Sequence, residues 1–443
     1  MRAESTALQR VLARFARVEP GEVAAVVAAF CLFFFVLGSY FAVRPVRETV
    51  ATLLGRERVA DLWLYTALFS IAIVPLYGWL VARVRRSLLL PCIYGGVALI
   101  LAIIGSYIQV DEGNLQVGTF FYVWISVLNL MLVSVFWSFL LEMFDREQTK
   151  RLFGFIAAGG TFGALVGPLT ARLTVEHIGN AGVLYLGTVG FLCAIVCQRV
   201  LMSIWNNAPS ASASGGDAST AVLQARNDEG LGGNPVAGIM IVLRSPYLLG
   251  IASFVVLLSA VNTFLYFEQL RIVSETFADT TARTEMFATI DFVVQSLTIF
   301  SQLFLTGRIA SRLGVRALLT FVPLIMIGGF MLLSVFNVFG MIALLLVLRR
   351  WGEYALRRPG REMLWGSLDK ESKYKAKSFI DVPVYRAADY VGAQAKSALD
   401  AVGATPAGAA IVGAGIAALW AANGWMLGRR YDRGSEDKKH DEP

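Results

Sequence analysis

From Val23 to Val43 the chain runs for 21 residues without a charged side chain. At about 1.5 Å of rise per residue, a helix of that length spans about 30 Å, the hydrocarbon thickness of a bilayer. A backbone in hydrocarbon must satisfy its own hydrogen bonds, so a run of this kind crosses as a helix. It is too long for the apolar core of a signal peptide and reads as a true span. Comparable runs recur, and twelve spans are expected at about 23–43, 61–82, 88–110, 117–141, 152–174, 180–204, 247–270, 286–307, 316–336, 340–364, 378–402 and 405–427. Composition agrees. Hydrophobic residues make up 56% and charged residues 16%, against about 45–50% and about 25% in soluble domains.

Charge sets the expected topology. Of the 39 Lys and Arg, 23 lie in segments on the N-terminal side of the membrane, six on the other side and ten within spans. Basic residues collect on the cytoplasmic side. Both termini are therefore expected in the cytoplasm, with the protein multi-pass in a bacterial inner membrane. The net charge of +7 then needs no nucleic-acid partner. The expected segments are a basic lead-in at 1–22, a six-helix half at 23–204, a cytoplasmic linker at 205–246, a second half at 247–427 and a cytoplasmic tail at 428–443. The Ser-, Ala- and Gly-rich stretch Asn206 to Thr220 marks the linker.

The halves repeat. Asp145-Arg-Glu147 with Phe155-Ile156 recurs 224 residues later as Asp369-Lys-Glu371 with Phe379-Ile380, and Gly78 with Arg83 recurs as Gly307 with Arg312. Same-order repeats imply two parallel halves, with a substrate site expected between them near the midplane.

Charges inside apolar sequence are the candidate functional residues. Arg350 lies about ten residues into its span, roughly 15 Å deep. Arg350, Glu353, Arg357 and Arg361 share one face of a straight α-helix. At such depth charge is costly unless it faces a bundle interior or a wet cavity. The first span ends Arg44-Pro45-Val46-Arg47-Glu48, where Pro45 is expected to interrupt the helix. Glu48 and Glu353 are expected to pair with Arg47 and Arg350 in the empty protein. Span eleven adds Arg386 and Asp389, which at i, i+3 are expected to neutralise one another in part. Asp291 suits a structural or a cavity carboxylate. Gly159, Gly163 and Gly167, spaced by four, make a smooth face for close helix packing. No Gly-Lys-Ser/Thr end follows them, so they are not a phosphate cradle.

Cys31, Cys92, Cys193 and Cys197 fall in apolar runs and read as small buried hydrophobes, while His177 and His440 are isolated. No metal, no cofactor and no nucleophile–base pair is expected, and hence no enzyme.

Gly78 followed by the basic Arg83-Val-Arg85-Arg86 turn resembles the cytoplasmic loop after span two of major-facilitator transporters, with Ala82 where that family usually has an aspartate. The chain also resembles the ATP/ADP translocase family and its bacterial major-facilitator relatives. Arg44, then Arg47 and Glu48, match that family's first-span arginine and the charged pair after it. Lys150-Arg151-Leu-Phe153-Gly154 matches the basic region after span four. Glu353-Tyr354 through Arg361-Glu362-Met363, Leu368-Asp369 through Lys377, and Ile380-Asp381-Val382 match the second half. In one place the chain departs: Asp389 stands where the nucleotide exchangers carry a lysine in a Gly-Lys-Ser-Gly segment.

The resemblance implies an all-α major-facilitator-like fold and a secondary transporter moving an anionic small solute by alternating access, with nucleotide exchange as the specific form. Arg44, Arg47, Glu48, Arg350, Glu353, Arg357, Arg386 and Asp389 are its expected substrate-binding residues. A lipid bilayer and the solute are the partners, and a monomer would serve. Proton-coupled export of an organic solute or lipid, and a non-transporting membrane scaffold of the same fold, are the alternatives.

Overall fold

The computed structural model describes residues 19, 22–83, 86–144, 146–207, 237–304, 306–365, 376–377 and 379–440. Most of the expected lead-in, most of the linker, and Asp145, Asp369 and Glu371 of the repeat lie outside the described residues. Every described element is helical. In order they are α1 (Val23–Leu54), α2 (Arg56–Arg83), α3 (Arg86–Val110), α4 (Leu115–Met143), α5 (Arg146–Asn207), α6 (Ala237–Arg244), α7 (Pro246–Thr276), α8 (Thr280–Phe304), α9 (Thr306–Val335) and α10 (Phe339–Gly352). A π-turn (Glu353–Arg357), α11 (Arg358–Leu364), a second π-turn (Ile380–Val384), α12 (Tyr385–Ala401) and α13 (Pro406–His440) complete the chain. Among the described residues, eight segments are long and apolar enough to cross a membrane. The two stretches that carry π-turns are not among them.

At 62 residues, α5 would be about 93 Å long as one rod. It is two helices: Gly179 sits at φ 66°, ψ 180°, a conformation that costs glycine least. The expected fifth and sixth spans meet at that break. Gly314 repeats the device in α9, at φ 73°, ψ 179°. Just past it the Asp432 carboxylate of α13 accepts from the Val315 N–H at 3.2 Å and the Arg316 N–H at 3.4 Å. Those are orphan donors at a helix start, where a carboxylate is favourable. Asn114 caps α4 in the same way, accepting from Gln116 and Val117.

The described chain divides into two compact units, Met1–Asn207 with Gln269–Ile299, and Ala208–Glu268 with Phe300–Pro443. The division passes through α7. In the first unit, α1 lies against α5 along the glycine stripe. A Cβ on Gly163 would stand 2.3 Å from the Phe34 carbonyl oxygen, and one on Gly167 would stand 2.3 Å from that of Gly38. No real Cβ fits there, so backbone packs on backbone as the spacing predicts. Phe33 stacks on Phe136 with centroids 4.0 Å apart, tying α4 to the same seam. In the second unit α9 packs on α13 and on the first π-turn. A Cβ on Gly352 would lie 2.5 Å from Val322, and one on Gly424 would lie 2.9 Å from the Leu319 carbonyl oxygen. Ile156 and Ile380, equivalent in the internal repeat, are both fully buried. Large apolar residues such as Leu99, Leu173 and Leu303 face outward, as lipid contact allows. Cys92 is exposed and Cys31, Cys193 and Cys197 are half-buried. This corrects the expectation that all four are buried: an apolar outer face needs no burial in a bilayer.

Candidate functional site

The first-unit candidates sit inside α1, not at its end. The helix continues through Pro45 to Leu54, correcting the expected interruption. Proline removes one donor and crowds one carbonyl, and the packed neighbours of α1 carry the helix across. The charges that follow Val43 are consequently enclosed: Glu48 is 7% exposed, and the Arg44 and Arg47 side chains are 17% and 15% exposed. Arg47 and Glu48 form an ion pair. Arg47 Nη1 also donates to Ser126 Oγ at 3.1 Å, and the guanidinium lies 5.4 Å from the Tyr122 ring centroid. Trp63 Nε1 donates to the Tyr122 hydroxyl at 2.9 Å. Arg47 is thus held by a carboxylate, a hydroxyl and an aromatic face, all good partners for a planar cation. Arg44 lies 3.5 Å from Asp291 of α8, so Asp291 is a paired carboxylate. One turn on, a hydroxyl chain links Thr49 to Thr284 at 2.6 Å and Thr284 to Asn180 at 2.6 Å. Arg283 Nη1 donates to Thr52 at 2.9 Å.

The second unit holds the arginine-rich stretch. α10, the π-turn and α11 follow one another without a break from Phe339 to Leu364, so the arginines continue the apolar helix as the sequence suggests. The π-turn inserts a residue into its turn. Each residue of an α-helix subtends about 100°, so Arg357 and Arg361 are rotated from the face a straight helix would give them. Glu353 bonds Arg357, with Nε to Oε2 at 2.7 Å, and Arg357 is 2% exposed. Glu353 thus pairs with the guanidinium one turn on, across the π-turn. Arg350 is half-buried. Arg349 Nη1 donates to Asn262 of α7 at 2.6 Å. Arg361 meets Asp381, at the second π-turn, at 3.1 Å. Arg386 lies 4.0 Å from Asp389, the partial neutralisation expected at i, i+3, and Ser259 of α7 donates to Asp389. π-turns interrupt helices frequently at functional sites, and both of these lie in the arginine-bearing region.

Sequence reasoning selected the arginines and the carboxylates paired with them nearby in sequence, but not their partners on other helices. Asn262 was visible only as a polar residue in span seven, and Ser259 carried no signal at all. Each meets its partner across helices far apart in sequence. Chemically, the arrangement offers guanidinium groups held by carboxylate or amide oxygens. A solute carboxylate or phosphate presents the same oxygen geometry.

Among the described residues, eight apolar helices of membrane-crossing length mark a polytopic membrane protein. The chain belongs to the Major Facilitator Superfamily, whose sequence profile matches residues 28–354. No curated protein matches it in sequence. Among solved structures it is similar to a bacterial homologue of the human lysosomal transporter Spinster, captured inward-facing and unoccupied: 12% identity, TM-score 0.54, covering 94% of this chain and 98% of that one. It is similar to a POT family transporter in complex with 5-aminolevulinic acid, at 12% identity and TM-score 0.61, covering 92% and 96%. A bacterial metal transporter matches at 10% identity and TM-score 0.57, covering 89% and 98%. At such identities the likeness carries the fold alone. The protein is a secondary transporter of the major-facilitator type.

Proposed function

We propose that this transporter carries an anionic solute, in the specific form of nucleotide exchange of the ATP/ADP type, from a bacterial inner membrane with both termini in the cytoplasm. The supporting observation is the run Arg349, Arg350, Arg357 and Arg361, buried or half-buried along one π-kinked helix. Charge in that position is costly, and guanidinium forks match phosphate and carboxylate oxygens. Arg357 and Arg361 rest on Glu353 and Asp381, carboxylates with which a solute anion competes. Arg44, Arg47, Glu48, Arg386 and Asp389 are further proposed substrate-binding residues. Asp389, held by Ser259 and Arg386, favours a second reading. A carboxylate at that position suits proton-coupled export of an organic solute better than it suits a polyphosphate.

Full-length protein reconstituted in liposomes distinguishes the two. Labelled ATP outside should enter liposomes loaded with ADP and stay out of unloaded ones. Uptake no greater than in protein-free liposomes rejects nucleotide exchange. Identification of whatever exchanges from a mixed metabolite pool then names the solute.

A further inference from the structure

The far end of α13 carries a surface of a different kind. Counted from Pro406, about 30 Å of helix rise reaches Trp425 and Met426. Arg429 and Arg433 therefore fall in the two turns beyond, at headgroup level. Leu419, Ala422, Met426, Arg429 and Arg433 are spaced i, i+3, i+7, i+10 and i+14, which is one helical face. All five are exposed, Leu419 and Met426 each at 62%. One stripe thus runs apolar along the bilayer and turns cationic where the bilayer ends.

α9 brings a third cation to the same level. Gly428 lets its backbone in: a Cβ there would stand 2.3 Å from the Arg316 Cα. The Arg316 guanidinium lies 4.4 Å from the Trp425 ring centroid, one turn before Arg429. Trp425 is itself exposed, and tryptophan is enriched at the membrane–water interface. Among the described side chains of α13, Asp432 is the only carboxylate, and the Val315 and Arg316 N–H groups take it up. Arg430 is engaged elsewhere, over the Tyr247 ring of α7 at 5.9 Å. Among the described residues no carboxylate pairs with Arg316, Arg429 or Arg433.

Three guanidinium groups without a carboxylate favour an anion, and their forks match phosphate oxygens. The apolar stripe leading up to them fits an anion that carries a hydrocarbon chain. A zwitterionic headgroup would set its own ammonium against the arginines. We propose that Arg316, Arg429 and Arg433 bind the phosphate of an anionic phospholipid whose acyl chain lies along Leu419, Ala422 and Met426. Basic sites between spanning helices hold such headgroups. The bound lipid ties α9 to α13 beside the Gly428 contact, within the second unit. The site goes beyond the transport reading and does not depend on the solute.

Full-length protein in detergent, titrated with phosphatidylglycerol or with phosphatidylcholine of the same acyl chains, tests this. Native mass spectrometry counts the bound lipid, and the thermal midpoint is followed in parallel. Phosphatidylglycerol should bind and raise the midpoint, and phosphatidylcholine should bind at least about tenfold more weakly. Arg429→Gln/Arg433→Gln should keep the lipid-free midpoint and bind phosphatidylglycerol about thirtyfold more weakly, at about 1 kcal/mol for each charge near the headgroups. Arg429→Lys/Arg433→Lys keeps the charges and should bind like the parent. Equal binding of the two lipids by the parent overturns the proposal, as does parental affinity in the folded glutamine variant. Displacement of the lipid by an equal concentration of inorganic phosphate also overturns it, since that would mark a free-phosphate site with no role for the apolar stripe. Should the double variant not fold, Arg433→Gln alone decides: parental phosphatidylglycerol affinity in it overturns the proposal.

Discussion

The α1–α5 seam of the first unit and the arginine stretch of the second are both enclosed, yet they are built oppositely. The seam is apolar and regular. Three glycines at intervals of four bring backbones together, with Phe34 and Gly38 carbonyl oxygens at distances no side chain tolerates. The arginine stretch is charged and irregular: a π-turn displaces the helix register, and ion pairs and amides take up the cations. Small residues make an interface that cannot adapt. Ion pairs make one whose partners can be exchanged. Transport requires the second kind of interior, and a packed scaffold supports it.

The largest effect should come from breaking the seam. In Gly163→Val the new side chain meets the Phe34 carbonyl and the Gly38 N–H, and neither backbone can withdraw. Overpacking against side chains commonly costs about 1–3 kcal/mol; here the obstacle is backbone, so the cost should exceed that of a broken ion pair. Size-exclusion of detergent extracts should show almost no monodisperse protein. Gly154, with open space around it, is the control, and Gly154→Ala should behave as the parent. Equal behaviour of the two variants would remove the seam from the comparison.

Breaking a pair in the arginine stretch comes next. Arg357→Met leaves Glu353 without its guanidinium partner, a change of about 3–5 kcal/mol for a buried pair. The double variant with Glu353→Gln should recover much of the lost thermal midpoint. Failure to recover would mean that packing around Arg357, and not its charge, stabilises the π-turn.

Arg47→Ala and Arg350→Ala sharpen the functional side. Both should remain folded and lose stabilisation by ATP, which for a tight ligand at a hundred times Kd amounts to about 2.7 kcal/mol. Retained stabilisation would make both arginines structural. Arg→Lys separates charge from fork geometry, because lysine keeps the charge and loses the bidentate pair.

The smallest effect lies outside the spans, at Asp279. The Thr281 hydroxyl and the Ala282 N–H hold its carboxylate below the ordinary carboxylate range. A depressed folded pKa contributes stability above the ordinary value, and that contribution fades as pH falls toward the folded one. Asn also caps helices, so Asp279→Asn should remove only the charge on the start of α8, about 0.3–1 kcal/mol. Its thermal midpoint should fall less on acidification than that of the parent.

The sequence by itself determined a great deal here. Apolar runs can be satisfied only as spanning helices, and glycines spaced by four can only be a close seam. Arginines deep in apolar sequence marked the candidate site. These follow from local period and the cost of burying polar groups, which a single segment already expresses. Tertiary structure alone decided the rest. Arg44 meets Asp291, Arg349 meets Asn262 and Lys396 meets Glu268 only because separate helices bring them together. The helix through Pro45 and the π-turn at Glu353 likewise exist because surrounding packing outweighs local preference. Pairing and register are sums over neighbours distant in sequence, and no pattern along one segment contains them.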